Sequence, residues 1–509
     1  MASFNCIVIG SGHAGCCAAL SAVEAGCDKV LIVDVCPPEW AGGNGYFTAG
    51  AFRTAHHGLH DLLPLVSNVT AENVGTIDMD PYTRTDFVAD IMRVGNGKPD
   101  PTLVGALVDA SRETISWLAT TVGVSFIFSF HRQAYAVDGR QKFWGGMVLS
   151  TDDGGKGLMA AHQQALAKAK VDVWFNCPAV EITIENGSVC GVLVEKDGEK
   201  QHLRAPAVVL AAGGFESNPI LRAKCLGAGW ELAKVRGTPY NQGDGFALAA
   251  AVGARRVGDW AGCHSTAWDA DAPTDAGQRD LTNQFTKSGY PIGIMVNSAG
   301  KRFVDEGEDF RNYTYAKFGR AILLQPGGNA FQVWDSQVIG SLRKEEYGDG
   351  VVKKIFAESL DELGGKLVEQ GLKSKEEFLS TLIQFNEAVK GYQTEHPASK
   401  WNPAIKDGLS TQSSKLQLSL PKSNWALPIE QPPFMAVKVS CGVTFTFGGL
   451  SIDPDTAGVI SDKTSEPIPG LFCAGEMVGI FHDNYPGGSG LMAGAVFGRK
   501  AGKAAALLN

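Results

Sequence analysis

The run Gly10-Ser11-Gly12-His13-Ala14-Gly15 spaces three glycines so that a chain can hold a pyrophosphate with its backbone. Gly10 permits the tight turn, Gly12 lets the backbone approach the phosphates, and Gly15 brings the following helix against the preceding strand. A helix opening at this turn offers amide donors and the positive end of its dipole to the anion. About 20 residues further on, LIVDV ends at Asp34, a carboxylate that can accept a ribose hydroxyl. The chemistry implied is dinucleotide binding. The competing reading is an apolar strand-helix hairpin with chance glycines, but strand, helix and terminal acid all agree with the first.

These residues need elements to position them. Ile7, Val8 and Ile9 predict a buried strand, CCAALSAVEAG a helix, and LIVDV a second strand. The loop CPPEWAGGNGYFTAGAFRTA is too polar and broken for regular structure, whereas residues 100–122 carry apolar positions at helical spacing. VEITIE and VCGVLVE read as strands around the turn Asn186-Gly187, with a second turn at Asp197-Gly198 and a buried strand in VVLAAGG. From residue 255 to 431 charge, aromatic residues and amphipathic helices increase, and the tail reads as strand, Gly-rich loop and small-residue helix. The fold class predicted is α/β: a Rossmann-like nucleotide-binding domain in two parts, residues 1–255 and 431–509, with an inserted α+β domain at 256–430.

A chain of 509 residues suggests two or three domains, and 44% apolar with 19% charged residues is ordinary for a globular protein. The net charge of -9 argues against a nucleic-acid partner. No apolar run approaches the ~20 residues of a membrane span, and no targeting segment is expected before the first strand. Eleven cysteines without Cys-x-x-Cys spacing predict no metal, cluster or covalent haem, and fit reduced thiols in a cytoplasmic protein.

With these segments in order, the chain resembles the fumarate reductase/succinate dehydrogenase flavoprotein superfamily. The likeness rests on VIGSGHAG, AGGNGYFTAG, VVLAAGGFE, YNQGDGFALAAAVGA, GIMVNSAGKRFVDEGEDF, and FCAGEMVG followed by YPGGSGLMAGAVFGRKAG. TPYNQGDG, Cys263-His264 and DEGEDF are most similar to the tricarballylate dehydrogenase branch, and Tyr485-Pro486-Gly487-Gly488 resembles 3-ketosteroid dehydrogenases. The resemblance implies FAD, a cap (substrate) domain at the insertion, and redox chemistry at a carbon-carbon bond activated by a carboxylate or carbonyl. It carries the cofactor onto Gly10, Gly12, His13, Ala14, Gly15 and Asp34, then Gly42, Gly43, Asn44, Ala49, Gly50 and Val180. Ala212, Gly213, Gly214, Asp244, Gly475, Glu476, Ser489, Gly490 and Leu491 complete that set, the last three opening a helix towards the flavin N1/C2=O edge. Covalent members hold a flavin-linked histidine where this chain has Asn44-Gly45-Tyr46, so noncovalent FAD is expected.

Departures from the fumarate reductase pattern define the catalytic candidates. Tyr485 stands in the region of the carboxylate-binding arginine, and Gly442-Val443-Thr444-Phe445-Thr446 replaces a histidine-bearing run. Tyr485 reads either as a donor to a developing enolate or as a rim residue packed on the flavin. Arg311, one residue off the family's proton-donor position, is a carboxylate anchor, a proton relay or an ordinary salt-bridge residue. His264 matches a substrate-contacting histidine or is a core one; His482 and Asp483 could lie near the flavin. Lys287, Arg302, Lys317 and Arg320 are further cap cations for an anionic substrate, and Trp260, Trp268, Tyr290, Tyr313 and Tyr315 permit a larger one. The expected activity is that of an FAD-dependent dehydrogenase or desaturase passing hydride to flavin N5, on a tricarballylate-like substrate. The alternatives are an FAD oxidase or ene-reductase acting on a larger carbonyl-activated metabolite, and a catalytically silent flavoprotein. Its partners would be a small-molecule substrate and an external electron acceptor or oxygen.

Overall fold

The computed structural model describes residues 2–274 and 278–508. Strand β1 (Cys6–Ile9), helix α1 (His13–Glu24) and strand β2 (Val30–Val33) form where the sequence predicts them. Every residue of both strands is buried, as a parallel sheet covered on both faces requires. The six-stranded sheet has the order Gly458–Ile460, Pro467–Cys473, Ala207–Leu210, β1, β2, Asp172–Trp174. All its neighbours are parallel except the first pair, and Ile7 lies beside both Val208 and Leu31. The last helix (Ser489–Ala506) lies along α1 so closely that a Cβ at Gly498 or Gly502 would sit 2.6 or 2.2 Å from a backbone oxygen of α1. Its small residues thus let the end of the chain close on the beginning.

The hairpin Ala179–Glu185 and Ser188–Lys196 forms with Asn186 and Gly187 at φ 52° and 81°, the two-residue turn that the sequence announces. Residues 100–122 form the helix Pro101–Trp117, capped by Asp100, continuing as one wider turn over Leu118–Val122. The loop after β2 is more regular than expected: Gly42, at φ 108°, turns the chain into a short helix, Gly43–Phe47. The α/β class is as predicted.

A second sheet is organised on the 17-residue strand Phe434–Leu450. It pairs antiparallel with Arg256–Asp269, Ala330–Trp334 and Ile355–Ala357, and parallel with Lys234–Val235. Helices Leu360–Glu369 and Lys375–Glu395, N-capped by Ser359 and Ser374, cover it with Leu363, Leu367, Phe378, Leu382 and Phe385. The pair 256–269 and 434–450 sets His264 opposite Phe445, and so fixes one wall of the site. Among the described residues no helix is long and apolar enough to cross a membrane.

Candidate active site

A cavity of about 750 Å³ runs between the parallel sheet and the second sheet. At one end stands the glycine fingerprint. A Cβ on Gly10 would lie 2.3 Å from the Ala211 carbonyl oxygen, and one on Gly15 2.0 Å from that of Gly10. Gly12 differs: the nearest atom to its Cβ would be the Gly42 oxygen at 3.8 Å, so the space over it belongs to the cavity. Neither α1 nor the last helix has a side-chain cap, at Gly12 or at Gly488, which leaves first-turn amides for an anion. Asp34 is oriented by Ser11 N and Cys36 N, which donate to its two oxygens at 2.6 and 2.9 Å. An open cradle, amide donors and a fixed carboxylate fit a dinucleotide.

All the cofactor positions named from the sequence line this cavity except Gly15, Gly42, Gly50, Gly214 and Ser489, which stand behind its wall. Gly214 makes room for Glu476, whose Oε1 would lie 1.8 Å from a Cβ there. Thr446 N donates to that oxygen at 2.7 Å, and burial, then the neighbouring Glu216, hold Glu476 well above the usual carboxylate range. Asn44 is fully engaged: its Nδ2 donates to Glu216 Oε1 and Thr444 O, and its Oδ1 accepts from Thr238 N. His13 joins the two helix N-termini, with Nε2 3.1 Å from Leu491 O and Nδ1 2.8 Å from His162 Nε2. Burial lowers its pKa to about 4, so it is a neutral bolt.

At the other end the structure brings His264, Arg311 and Tyr485 together. His264 is 1% exposed, and neither ring nitrogen has a hydrogen-bond partner among the described residues. Its ring stacks on Phe445 at 5.5 Å and meets Tyr315 and Tyr485 edge-on. Burial first, and then the charge of Arg236, hold its pKa well below the usual histidine value, so the ring is neutral. Tyr485 Oη lies 2.7 Å from Tyr315 Oη. Burial, then that second phenol, push the Tyr485 pKa well above the ordinary range. Arg311 opens the short helix Arg311–Thr314, and burial followed by the charge of Arg343 lowers its pKa to about 10.

Four contributors carry no signal in the sequence: Tyr315, Asn312, Arg236 and the Arg343–Glu346 ion pair at 2.9 Å. Tyr315 was expected only as one of several cap aromatics. Arg236 directly precedes the GTPYNQGDG stretch, but nothing in its neighbours signals a cavity-facing guanidinium. Of the cap cations expected from the sequence only Arg311 lines the cavity. Arg302 is tied to Glu306 and the carbonyls of Leu420 and Pro421, Lys317 to Glu308, and Arg320 to Ala261 O. Lys287 is buried 3.9 Å from Asp269. His482 lies outside the lining, and Asp483 pairs with Lys98.

The chain is similar to known proteins in sequence and in fold. A family profile described as FAD binding domain matches residues 72–491, and one described as glucose inhibited division protein A matches residues 5–62. The probable fumarate reductase Ifc3 of Shewanella frigidimarina (strain NCIMB 400) is 27% identical over 98% of this chain and 74% of its own length. The open conformation of a flavocytochrome c3 fumarate reductase matches with a TM-score of 0.71 at 25% identity, over 100% of this chain and 78% of that one. A 3-ketosteroid delta1-dehydrogenase from Sterolibacterium denitrificans shares the fold over 100% of both chains, with a TM-score of 0.74 at 19% identity.

Proposed function

The chain belongs to the FAD-binding family whose profile spans residues 72–491, and on that premise we propose that it is a dehydrogenase or desaturase of a carboxylate- or carbonyl-activated substrate. It binds FAD and is an FAD-dependent oxidoreductase acting at a carbon-carbon single or double bond next to such a group. The observation that carries the finer reading is the continuity of one cavity, from the Gly10–Gly15 fingerprint to His264, Arg311 and Tyr485.

The amides at Gly12–Ala14 hold the pyrophosphate, Asp34 a ribose hydroxyl, and the segments around Asn44, Glu476 and Gly490–Leu491 the flavin half. With Asn44-Gly45-Tyr46 standing where covalent members hold the flavin-linked histidine, the cofactor is held noncovalently. Bound FAD supplies the hydride acceptor. Tyr485 stays a neutral phenol and donates to the substrate oxygen, stabilising the charge that develops when the neighbouring C–H is lost. His264, with both nitrogens open, takes that proton once the substrate's carboxylate offsets the Arg236 charge that otherwise disfavours the imidazolium, and Arg311 holds the substrate's anionic end. Phe445, Phe447, Phe481 and the buried Tyr485 keep water away. The segment 256–430 acts as the cap, and the eleven unbridged cysteines suit a reducing compartment such as the cytoplasm.

A tricarballylate-like polycarboxylate is the first substrate to test, since guanidiniums gather at the cap end. The aromatic wall around His264 favours a second reading, a larger substrate with one carbonyl. The test is the visible spectrum of the purified protein, near ~450 nm for bound flavin, followed under anaerobic addition of tricarballylate. Bleaching supports tricarballylate dehydrogenation. A yellow protein that stays oxidised removes that substrate and turns the search to carbonyl-activated rings, while peroxide formed on turnover in air marks an oxidase.

A further inference from the structure

Three guanidiniums line the cavity, those of Arg236, Arg311 and Arg343. They differ in how their charge is met. Arg343 has Glu346 at 2.9 Å. Arg236, only 8% exposed, has no carboxylate within ion-pair distance among the described residues. Its Nη2 donates to a neutral amide, Asn283 Oδ1 at 3.1 Å, and its Nε has no hydrogen-bond partner among those residues. The acid whose charge it feels, Glu346, is already engaged by Arg343 and by Ser288 N and Oγ at 2.8 and 2.7 Å. A buried guanidinium without a counter-ion is expensive unless an anion arrives to meet it.

The position of Arg236 says which anion. Its backbone N donates to Val443 O at 2.7 Å, which anchors it beside the strand that carries Phe445. Its charge is felt by His264, Tyr315 and Tyr485, the groups of the cap end. The last glycine-rich loop brings Tyr485 and no cation to the lining. Resting on the reading that this end of the cavity takes the substrate, we propose that Arg236 is a second anchor beside Arg311, one that selects for a carboxylate by binding it through the guanidinium fork. A planar carboxylate is the ligand class, because it answers both the charge and the two parallel donors and is the group that activates the carbon-carbon bond in the proposed reaction. An anion anchored there sits beside the phenols and the imidazole that act on the neighbouring carbon.

The test uses the FAD-loaded enzyme as wild type, Arg236→Met and Arg236→Lys, titrated with benzoate and with its neutral isostere benzamide. Perturbation of the flavin spectrum reports binding, and flavin content and midpoint potential are measured alongside. Arg236→Met is expected to weaken benzoate by about 30-fold, the scale of a lost charged hydrogen bond, and to leave benzamide unchanged. Arg236→Lys, which keeps charge but loses the fork, falls between them and carries the test if the methionine variant does not hold FAD. Benzoate binding that ignores residue 236, or a wild type that binds no benzoate at millimolar concentration, overturns the proposal. So does a shifted midpoint potential with benzoate affinity intact, which would turn Arg236 towards the flavin instead. If benzoate depends on Arg236 but tricarballylate does not bleach the flavin, the anchor stands and the tricarballylate reading falls. If tricarballylate bleaches the flavin while benzoate binding is indifferent to Arg236, the substrate reading stands and the anchor falls.

Discussion

The two ends of the cavity are built on opposite principles. The fingerprint end is made of backbone: contiguous small residues, two helix N-termini, and glycines pressed to within 2.3 Å of neighbouring carbonyls if a Cβ were added. The cap end is made of side chains drawn from positions 236, 264, 311, 315, 445 and 485. Several of its buried polar atoms are left open. Neither nitrogen of His264, neither polar atom of the Asn312 side chain, nor Nε of Arg236 has a partner among the described residues. Buried polar atoms are nearly always satisfied, so such a concentration marks where another molecule supplies the partners. One end is specified by what cannot fit, the other by what is missing.

Two substitutions at the first end separate packing from binding, and give the largest effects. Gly15→Ala drives a methyl to 2.0 Å from the Gly10 carbonyl oxygen, where only backbone can yield. It should cost about 3 kcal/mol and abolish FAD binding, read by urea unfolding and by flavin content. Gly12→Ala points its methyl into the open cradle. The apoprotein should stay within about 1 kcal/mol of wild type, yet come out colourless. A yellow Gly12→Ala protein breaks the contrast, because the space over Gly12 would then not be where the cofactor lies.

That contrast also explains what the sequence discloses. Backbone sites need particular residues at fixed short spacing, so Gly10–Gly15, Asp34 and the turns at Asn186-Gly187 and Asp197-Gly198 are legible directly. The strand-helix-strand start and the apolar VVLAAGG announce three of the six strands of the parallel sheet. The cap end has no local signature, because strand register assembles it: His264 meets Phe445 only through the pairing of two strands far apart in the chain. Tyr485, His264 and Arg311 came from resemblance, not from spacing. Tyr315 looked like one more aromatic residue and Arg236 carried no signal, until the fold brought both to the cavity wall. The cap cations misled for the same reason: Arg302 and Lys317 have acids three or more positions away on their own segment, and the fold pairs them there.

At the cap end the effects should be smaller and confined to turnover. Tyr485→Phe removes one hydroxyl from a water-poor site, so kcat should fall about 100-fold while FAD content stays unchanged. The pH profile sharpens the role of His264. Its pKa is depressed, so it remains neutral as pH falls through the ordinary histidine range. No acid limb near the ordinary histidine pKa of about 6.5 should therefore come from it in kcat/KM. Such a limb, matched by a histidine titration lost from the spectrum of His264→Gln, would mean that the ring is charged in the free enzyme and that its burial is relieved there.

The smallest effect belongs to Asp483, which the sequence puts two residues before Tyr485 and so near the flavin. The structure turns it away from the cavity. Its carboxylate meets Lys98 Nζ at 2.8 Å and Asn96 Nδ2 at 3.0 Å, on a side chain 32% exposed. Its backbone takes φ 55°, a conformation that asparagine adopts as readily as aspartate. Asp483→Asn therefore keeps the turn and loses only a solvent-screened pair, worth about 0.5 kcal/mol in urea unfolding. Flavin spectrum, kcat and KM should match wild type. A change in the spectrum would place Asp483 in the field of the cofactor and move the boundary between the two ends, since the loop from His482 to Tyr485 would then act as one unit.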